Sequence, residues 1–195
     1  MSKPYDPQDK YFKRAKEQGY RARSVFKLEE IQQKFKILKP GRDILDLGAA
    51  PGSWLQYANR IVGPKATLVG LDLTPIKKIK PNVILGQLDI FSPEAIVFIE
   101  RKHPKKFPII LSDLAPKTSG IKEADHYRSI ELSEQVVALA KKFLTPHGTI
   151  VIKVFQGADF GLFIIKLKKI FKQVNVFKPK ASRDRSFEVY VIIKN

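Results

Sequence analysis

The stretch from Ile44 to Trp54 reads ILDLGAAPGSW and decides the fold. An apolar run with a carboxylate at Asp46 is followed by small residues and then, from about Ser53, by a helical pattern. Glycine and alanine leave backbone N–H groups open, so a nucleotide-like ligand can lie close to the turn. The stretch therefore predicts a buried strand, a ligand-binding turn and a crossover helix.

The alternation of apolar runs and helical segments continues along the chain and is typical of a parallel sheet with crossover helices. Strands are predicted at 43–48, 67–72, 82–87, 108–113, 148–155, 173–178 and 187–193. Helices are predicted at about 23–34, 53–62, 93–102, 126–143 and 159–171. The last two strands should pair antiparallel, because the link between them is too short for a parallel crossover. We expect a Rossmann-like α/β fold: a seven-stranded, mostly parallel sheet with an antiparallel edge strand and helices on both faces.

The length of 195 residues suits a single domain that spans 1–195. Hydrophobic residues make up 44% of the chain, which is enough for a core. Residues 1–20 carry many charges and little apolar periodicity, so we predict a basic arm that is held loosely. We expect the domain to act as a monomer.

The composition restricts the possible partners. A net charge of +17 and a pI near 10.0 favour a polyanionic partner. Cysteine is absent and the three histidines lie far apart in the sequence, so we expect no disulfide and no metal site. No segment resembles a signal peptide or reaches the roughly 20 apolar residues of a membrane span. We therefore expect a cytoplasmic protein without membrane contact.

Two further acids indicate the ligand of the glycine turn. Asp72 follows the turn by about 20 residues, where Rossmann-type folds place an acid on a ribose, and Asp89 ends the next strand. The turn reads GAAPG rather than GxGxxG, and Pro51 removes an amide donor that a phosphate would use. An adenosine without phosphates therefore fits better than NAD, which favours S-adenosylmethionine. The cofactor-binding candidates are Gly48, Ala50, Pro51, Gly52, Trp54, Asp72, Leu73, Asp89, Ile90 and Asp113.

A lysine within a predicted buried strand points to a polar site. Lys153 lies in IVIKV, where a charged side chain is costly unless it is paired. Asp113, at the end of a neighbouring strand, and Glu188 are the available counter-charges. A purely structural ion pair is the alternative interpretation.

These segments together resemble the FtsJ/RrmJ-like RNA 2′-O-ribose methyltransferases over nearly the whole chain. The resemblance rests on YRARSVFKL, DLGAAPGSW, LSDLAP, IVIKVFQG and SRDRSFEVY, which occur in the family's order. It implies a class I methyltransferase fold that uses S-adenosylmethionine, and a catalytic tetrad. The positions that match the tetrad are Lys27, Asp113, Lys153 and Glu188.

The resemblance also implies how the tetrad would act on RNA. Lys153 would contact the ribose 2′-oxygen and either accept its proton or stabilise the developing negative charge. Asp113 and Glu188 would orient the two lysines. Basic residues around the site would bind the RNA backbone, and the candidates are Arg21, Arg23, Lys178, Lys180, Arg183 and Arg185.

Several functions stay open at this point. The overall pattern is most similar to the bacterial branch of the family, which implies a uridine of large-subunit ribosomal RNA as substrate. Ser53 and Phe187 depart from that branch, so methylation of the tRNA anticodon loop is an alternative. An NAD-dependent Rossmann oxidoreductase and a non-catalytic RNA-binding module are more distant alternatives.

Overall fold

The computed structural model describes residues 9–183 and 186–195. The strands are β1 (Ile44–Leu47), β2 (Leu68–Asp72), β3 (Val83–Gln87), β4 (Phe107–Ser112), β5 (Leu144–Phe155), β6 (Gln173–Phe177) and β7 (Glu188–Lys194). The helices are α1 (Asp9–Glu17), α2 (Val25–Phe35), α3 (Ser53–Val62), α4 (Pro93–Lys102), α5 (Lys122–Phe143) and α6 (Phe160–Ile170). All predicted strands and helices are present, and α1 is additional.

The strands form one sheet in the order β3-β2-β1-β4-β5-β7-β6. β1 to β5 pair in parallel, whereas β7 is antiparallel to both of its neighbours, β5 and β6. The predicted α/β fold with a mostly parallel sheet is confirmed. The antiparallel strand β7 lies one place inside the edge strand β6. The chain order reverses between β1 and β4, and in such sheets ligands bind at the carboxyl ends of the strands at that point.

The two faces of the sheet carry separate cores because successive residues of a strand point to opposite faces. Ile150 and Ile152 join the core beneath α4, α5 and α6, whereas Val151 and Tyr190 join the core beneath α2 and α3. Lys153 comes two residues after Val151, so it faces the α2–α3 side. This alternation decides where the polar residues of the central strands meet.

The N-terminal segment differs from the predicted loose arm. Residues 9–17 form helix α1, in which Ala15 is buried and the Tyr11 ring lies 5.5 Å from that of Phe26. Arg14 also forms an ion pair with Glu29 of α2 at 3.1 Å. Sequence periodicity did not reveal this helix, because its apolar contacts are limited to Ala15 and Tyr11 and do not form a continuous apolar stripe. The remaining arm residues, 1–8, lie outside the described part of the chain.

Strand β5 and helix α5 each begin about four residues before their predicted starts. The Thr-Pro-His-Gly segment 145–148 has the composition of a turn. Leu144 nevertheless pairs with Phe107, and the register shifts between Phe107 and Ile109 to accommodate the segment. Within residues 9–183 and 186–195, no helix is both long and apolar enough to cross a membrane.

Candidate active site

Lys153 projects from β5 towards the α2–α3 side of the sheet and meets Asp113, which follows β4 directly. The Lys153 Nζ lies 3.1 Å from Asp113 Oδ1 and donates a second hydrogen bond to the Asp113 backbone carbonyl. The lysine side chain is 7% exposed and the aspartate side chain 17%. Because an unpaired buried ammonium group is costly, this pair explains how a lysine is tolerated in an apolar strand.

A second ion pair joins α2 to the first residue of β7. The Lys27 Nζ lies 2.5 Å from Glu188 Oε1, and both side chains are largely buried. In the β5–β7 ladder, Lys153 pairs with Tyr190 and Phe155 pairs with Glu188, so the two ion pairs are neighbours on one face. The structure thus brings together the four residues predicted as catalytic.

Tyr190 completes this cluster and was missed by the sequence reasoning. Its hydroxyl donates a hydrogen bond of 2.6 Å to Asp113 Oδ1, and its side chain is fully buried. Burial raises the pKa of the Tyr190 hydroxyl well above its ordinary value, and the negative charges of Asp113 and Glu188 raise it further. The period of two residues along β7 was the available signal, because Tyr190 shares a face with Glu188.

The Asp113 carboxyl is held in its charged form by its neighbours. Burial by itself raises the pKa of this carboxyl. The ammonium groups of Lys153 and Lys27 and the hydrogen bond from Tyr190 outweigh the burial, so the pKa of Asp113 lies below its usual range. The dependence on Lys27 as well as Lys153 shows that the two ion pairs form one electrostatic unit.

The glycine turn after β1 is closely packed. Gly48 and Gly52 have φ angles of 79° and 103°, in the region that favours glycine. A Cβ atom on Gly48 would lie 2.5 Å from a Leu114 side-chain atom, and one on Gly52 would lie 2.9 Å from Arg21 and from Ile79. Any side chain at these positions would therefore displace the walls of the turn.

Asp72 and Asp89 differ in their present contacts. Asp72 holds the turn in place, because its carboxylate accepts hydrogen bonds from the backbone N–H of Ala50, at 2.9 Å, and of Thr74, at 2.7 Å. Asp89 is exposed, and its Oδ1 accepts a hydrogen bond from the backbone N–H of Phe91. The Leu73 side chain is 66% exposed, so it can cover an apolar ring.

Asp46 is the most unusual carboxylate of the site. It is completely buried at the carboxyl end of β1, and neither of its oxygens has a hydrogen-bond partner. Burial raises the pKa of Asp46 well above its ordinary value, and the charges of Asp113 and Asp72 raise it further. A buried acceptor of this kind lacks a donor, and a cationic donor would satisfy it best.

Two predicted cofactor residues have side chains in the core instead. The indole of Trp54 is buried beneath α2; its Nε1 donates to the Ser24 carbonyl at 2.9 Å and its ring lies 5.7 Å from that of Tyr190. Ile90 is buried in the core on the opposite face of the sheet. Large apolar side chains contribute to the core first, so contacts of these two residues with a ligand would use their backbone atoms.

The comparisons with known proteins agree with this geometry. Residues 20–195 match the model of the family described as FtsJ-like methyltransferase. The chain belongs to this family. Ribosomal RNA large subunit methyltransferase E of Syntrophobacter fumaroxidans is 47% identical over 189 residues, which cover 96% of this chain and 95% of the relative. The protein of the same name from Bdellovibrio bacteriovorus is 43% identical, with 96% of each chain covered.

A solved structure supports the same family at the level of the fold. It is the crystal structure of a Plasmodium falciparum protein described as a ribosomal RNA methyltransferase, which superposes with a TM-score of 0.81 at 32% identity. The match covers 90% of this chain and 98% of that chain. An oxidoreductase function is therefore excluded in favour of the methyltransferase family.

Arg21 of this FtsJ-like methyltransferase, predicted to bind RNA, also contacts the glycine turn. Its guanidinium donates hydrogen bonds to the backbone carbonyls of Pro51, Lys77 and Lys78 at 3.0, 2.7 and 2.9 Å. These bonds fix the glycine turn to the segment that follows β2. Sequence alone could not show this, because Arg21, Pro51 and the Lys77–Lys78 pair are distant in sequence and meet only in the fold.

Of the other predicted RNA-binding residues, Arg23 and Arg183 line a cavity next to the candidate active site. Arg23 donates to the Ala181 carbonyl at 2.9 Å and Lys178 to the Ser186 carbonyl at 2.7 Å, whereas Lys180 and Arg183 are exposed. Arg185 lies outside the described residues. A cavity of about 230 Å³ opens beside the Lys27–Glu188 pair, and its lining is Arg23, Ser24, Lys27, Ala181, Arg183, Ser186 and Glu188.

Proposed function

We propose that this FtsJ-like methyltransferase transfers a methyl group from S-adenosylmethionine to the ribose 2′-hydroxyl of a uridine in large-subunit ribosomal RNA. The observation that carries the proposal is the cluster of two buried ion pairs, Lys27–Glu188 and Lys153–Asp113, next to the glycine turn. The names of the relatives, which are 43% to 47% identical, support the choice of RNA. The +17 charge of the chain suits the same polyanion.

The residues of the turn fit S-adenosylmethionine. Asp46 offers two buried oxygens without partners, which suit the ammonium group of the methionine end. Asp89 and Leu73 are exposed at neighbouring strand ends and suit the adenosine end. Leu114 packs closely on Gly48, and Arg21 and Ile79 pack closely on Gly52, so the turn keeps this shape only because both side chains are absent. When bound, S-adenosylmethionine supplies a methyl group on a positively charged sulfur atom.

In this proposal Lys153 is the group that contacts the ribose 2′-oxygen. It receives the proton of the hydroxyl when its amine is unprotonated; when it is protonated, the same contact stabilises the negative charge that develops on the oxygen. In either state the Asp113 carboxylate, held in place by Tyr190, keeps the lysine side chain in position. Positioning of this kind accounts for much of the rate of an in-line displacement.

The second ion pair serves the substrate side of the site. Lys27 and Glu188 line the basic cavity that also contains Arg23 and Arg183. We propose that the ribose of the target nucleotide enters from this cavity while the guanidinium groups bind its neighbouring phosphates. Each phosphate contact would then weaken as the salt concentration rises.

The proposal is tested by mapping the modified nucleotide. Ribosomal RNA and large ribosomal subunits from cells that lack the gene are incubated with the protein and S-adenosylmethionine, with tRNA as a parallel substrate. We expect a single new 2′-O-methyl group on a uridine of the large-subunit RNA. Methylation of a base, modification of tRNA alone, or no methyl transfer to any of these RNAs would contradict the proposal.

A further inference from the structure

A second basic cavity lies at the opposite end of the sheet from the candidate active site. Its volume is about 450 Å³, and it is bounded by the end of α2, the loop before β1, the starts of β4 and β5 and the end of β7. None of its lining residues in the described part of the chain is acidic. The basic lining residues are Lys36, Lys39, Arg42, His147 and Lys194.

Two of these residues have a backbone conformation that favours glycine. Lys36 has a φ of 50° and His147 a φ of 60°, and in residues 9–183 and 186–195 they are the only residues other than glycine with a positive φ. Both line this one cavity. Glycine would lower the backbone energy at either position, so both basic side chains are held in this cavity at an energetic cost.

Hydrogen bonds hold part of the lining of this second cavity, called the rear cavity from here on, in place. The Gln32 side chain bonds both the N–H and the carbonyl of Leu38, at 2.7 and 3.0 Å, which holds the loop that carries Lys36 and Lys39. Neither lysine forms an ion pair with any residue in the described ranges. The same is true of Arg42 and Lys194. Like charges gathered without counter-charges repel one another, and an anionic ligand would relieve that repulsion.

The register of the sheet gives the separation from the active site. Lys194 pairs with Thr149, and Glu188 pairs with Phe155, six residues further along both strands. At a rise of roughly 3.3 Å per residue, the rear cavity lies about 20 Å from the catalytic pairs. The two basic cavities are therefore separate surfaces at opposite ends of β5 and β7.

We propose that the rear cavity binds phosphate groups of the RNA backbone at a second contact, remote from the nucleotide that is methylated. The inference rests on the proposed RNA substrate and adds that the substrate must reach both ends of the sheet. Several cations spread around an open cavity suit consecutive phosphates of a nucleic acid better than a single small anion. The second contact raises affinity without taking part in the methyl transfer.

The test compares two variants with the same loss of charge. The rear-cavity variant carries Lys39→Gln, Arg42→Gln and Lys194→Gln, and the matched control carries Lys65→Gln, Arg101→Gln and Lys122→Gln at exposed positions outside both cavities. Binding of a large-subunit ribosomal RNA transcript is measured over a salt series without S-adenosylmethionine. We expect only the rear-cavity variant to bind RNA about tenfold or more weakly than the wild type. The magnitude of its slope of log K against log salt should be smaller by about 2.

Two further readouts separate this inference from its alternatives. At saturating RNA, we expect the rear-cavity variant to keep the wild-type kcat, because its substitutions lie far from the reacting atoms. Lys36→Gly should keep or raise the melting temperature while weakening RNA binding, whereas a merely structural lysine would leave RNA binding unchanged.

Equal affinity and salt slope in the rear-cavity variant and the control would overturn the second contact alone. Failure of the wild-type protein to bind both the transcript and large ribosomal subunits would overturn the proposed function as well.

Discussion

At the scale of single residues, two buried carboxylates of the site have opposite environments. Asp113 is surrounded by two ammonium groups and a tyrosine hydroxyl, so its pKa is lowered despite burial. Asp46 has no hydrogen-bond partner within the described residues, and its pKa is raised. Asp113 therefore belongs to a completed cluster, whereas both oxygens of Asp46 lack a donor.

Asp46→Asn tests this difference. Because the folded protein binds a proton at Asp46 that the unfolded chain has released, the contribution of Asp46 to wild-type stability should fall as the pH rises above about 4, the ordinary pKa of the carboxyl. Asparagine does not titrate, so the melting temperature of the variant relative to the wild type should rise from about pH 4 to neutral pH. Its affinity for S-adenosylmethionine should fall about tenfold or more, measured by calorimetry. Unchanged cofactor affinity would show that Asp46 does not face the ligand.

Tyr190→Phe tests the hydrogen bond to Asp113. Removing the hydroxyl should lower the free energy of unfolding by about 1 to 2 kcal/mol, measured by urea denaturation. It should also raise the pKa of Asp113, so the charged carboxylate, and with it the acid limb of the activity profile, is lost at a higher pH. Tyr127→Phe is the control, because Tyr127 is exposed. An acid limb that does not move would separate Tyr190 from the catalytic cluster.

At the scale of elements, α5 holds the end of β5 in place. The His126 Nδ1 donates to the Phe155 carbonyl at 2.8 Å, and the His126 Nε2 accepts the N–H of Asp159 at 3.1 Å. Ser129 Oγ accepts the N–H of Phe155 at 2.9 Å. These bonds satisfy backbone groups two to six residues beyond Lys153, so the helix fixes the end of the strand that carries this lysine.

Gly157→Ala should disturb this arrangement. A Cβ atom on Gly157 would lie 2.4 Å from the His126 ring, so the loop after β5 would have to shift. We expect a loss of about 1 to 3 kcal/mol in the free energy of unfolding and a lower kcat. Gly161→Ala is the matched control: its Cβ would meet no atom within 4 Å, and alanine in α6 should stabilise the protein slightly. Equal stability of the two variants would contradict the contact.

The sequence predicted well those elements whose burial is visible as a pattern of apolar residues. Apolar runs identified all seven strands, and Lys153 stood out because it is a charged residue within such a run. Helix α1 escaped prediction because its stability depends on contacts with Phe26 and Glu29 that only the fold creates. The sequence also did not reveal the hydrogen bonds of Arg21 to the glycine turn or of Tyr190 to Asp113, because these contacts too exist only in the fold.

At the scale of the whole molecule, the sheet separates two basic surfaces. The two buried ion pairs, Lys27–Glu188 and Lys153–Asp113, lie near the carboxyl ends of the parallel strands, as the position of the glycine turn predicted. The rear cavity lies at the other end and had no sequence signal beyond charge, because its residues come from five separate segments of the chain. Net charge predicted a polyanionic partner but not how many surfaces contact it.

The most direct test of the central claim is methyl transfer by Lys153→Met in a single turnover on large-subunit ribosomal RNA. Lys166→Met is the matched control, because Lys166 forms an exposed ion pair with Glu134. We predict that Lys153→Met binds S-adenosylmethionine and RNA with wild-type affinity but transfers methyl groups about 100-fold or more slowly, while Lys166→Met is unchanged. Near-normal transfer by Lys153→Met would contradict the account.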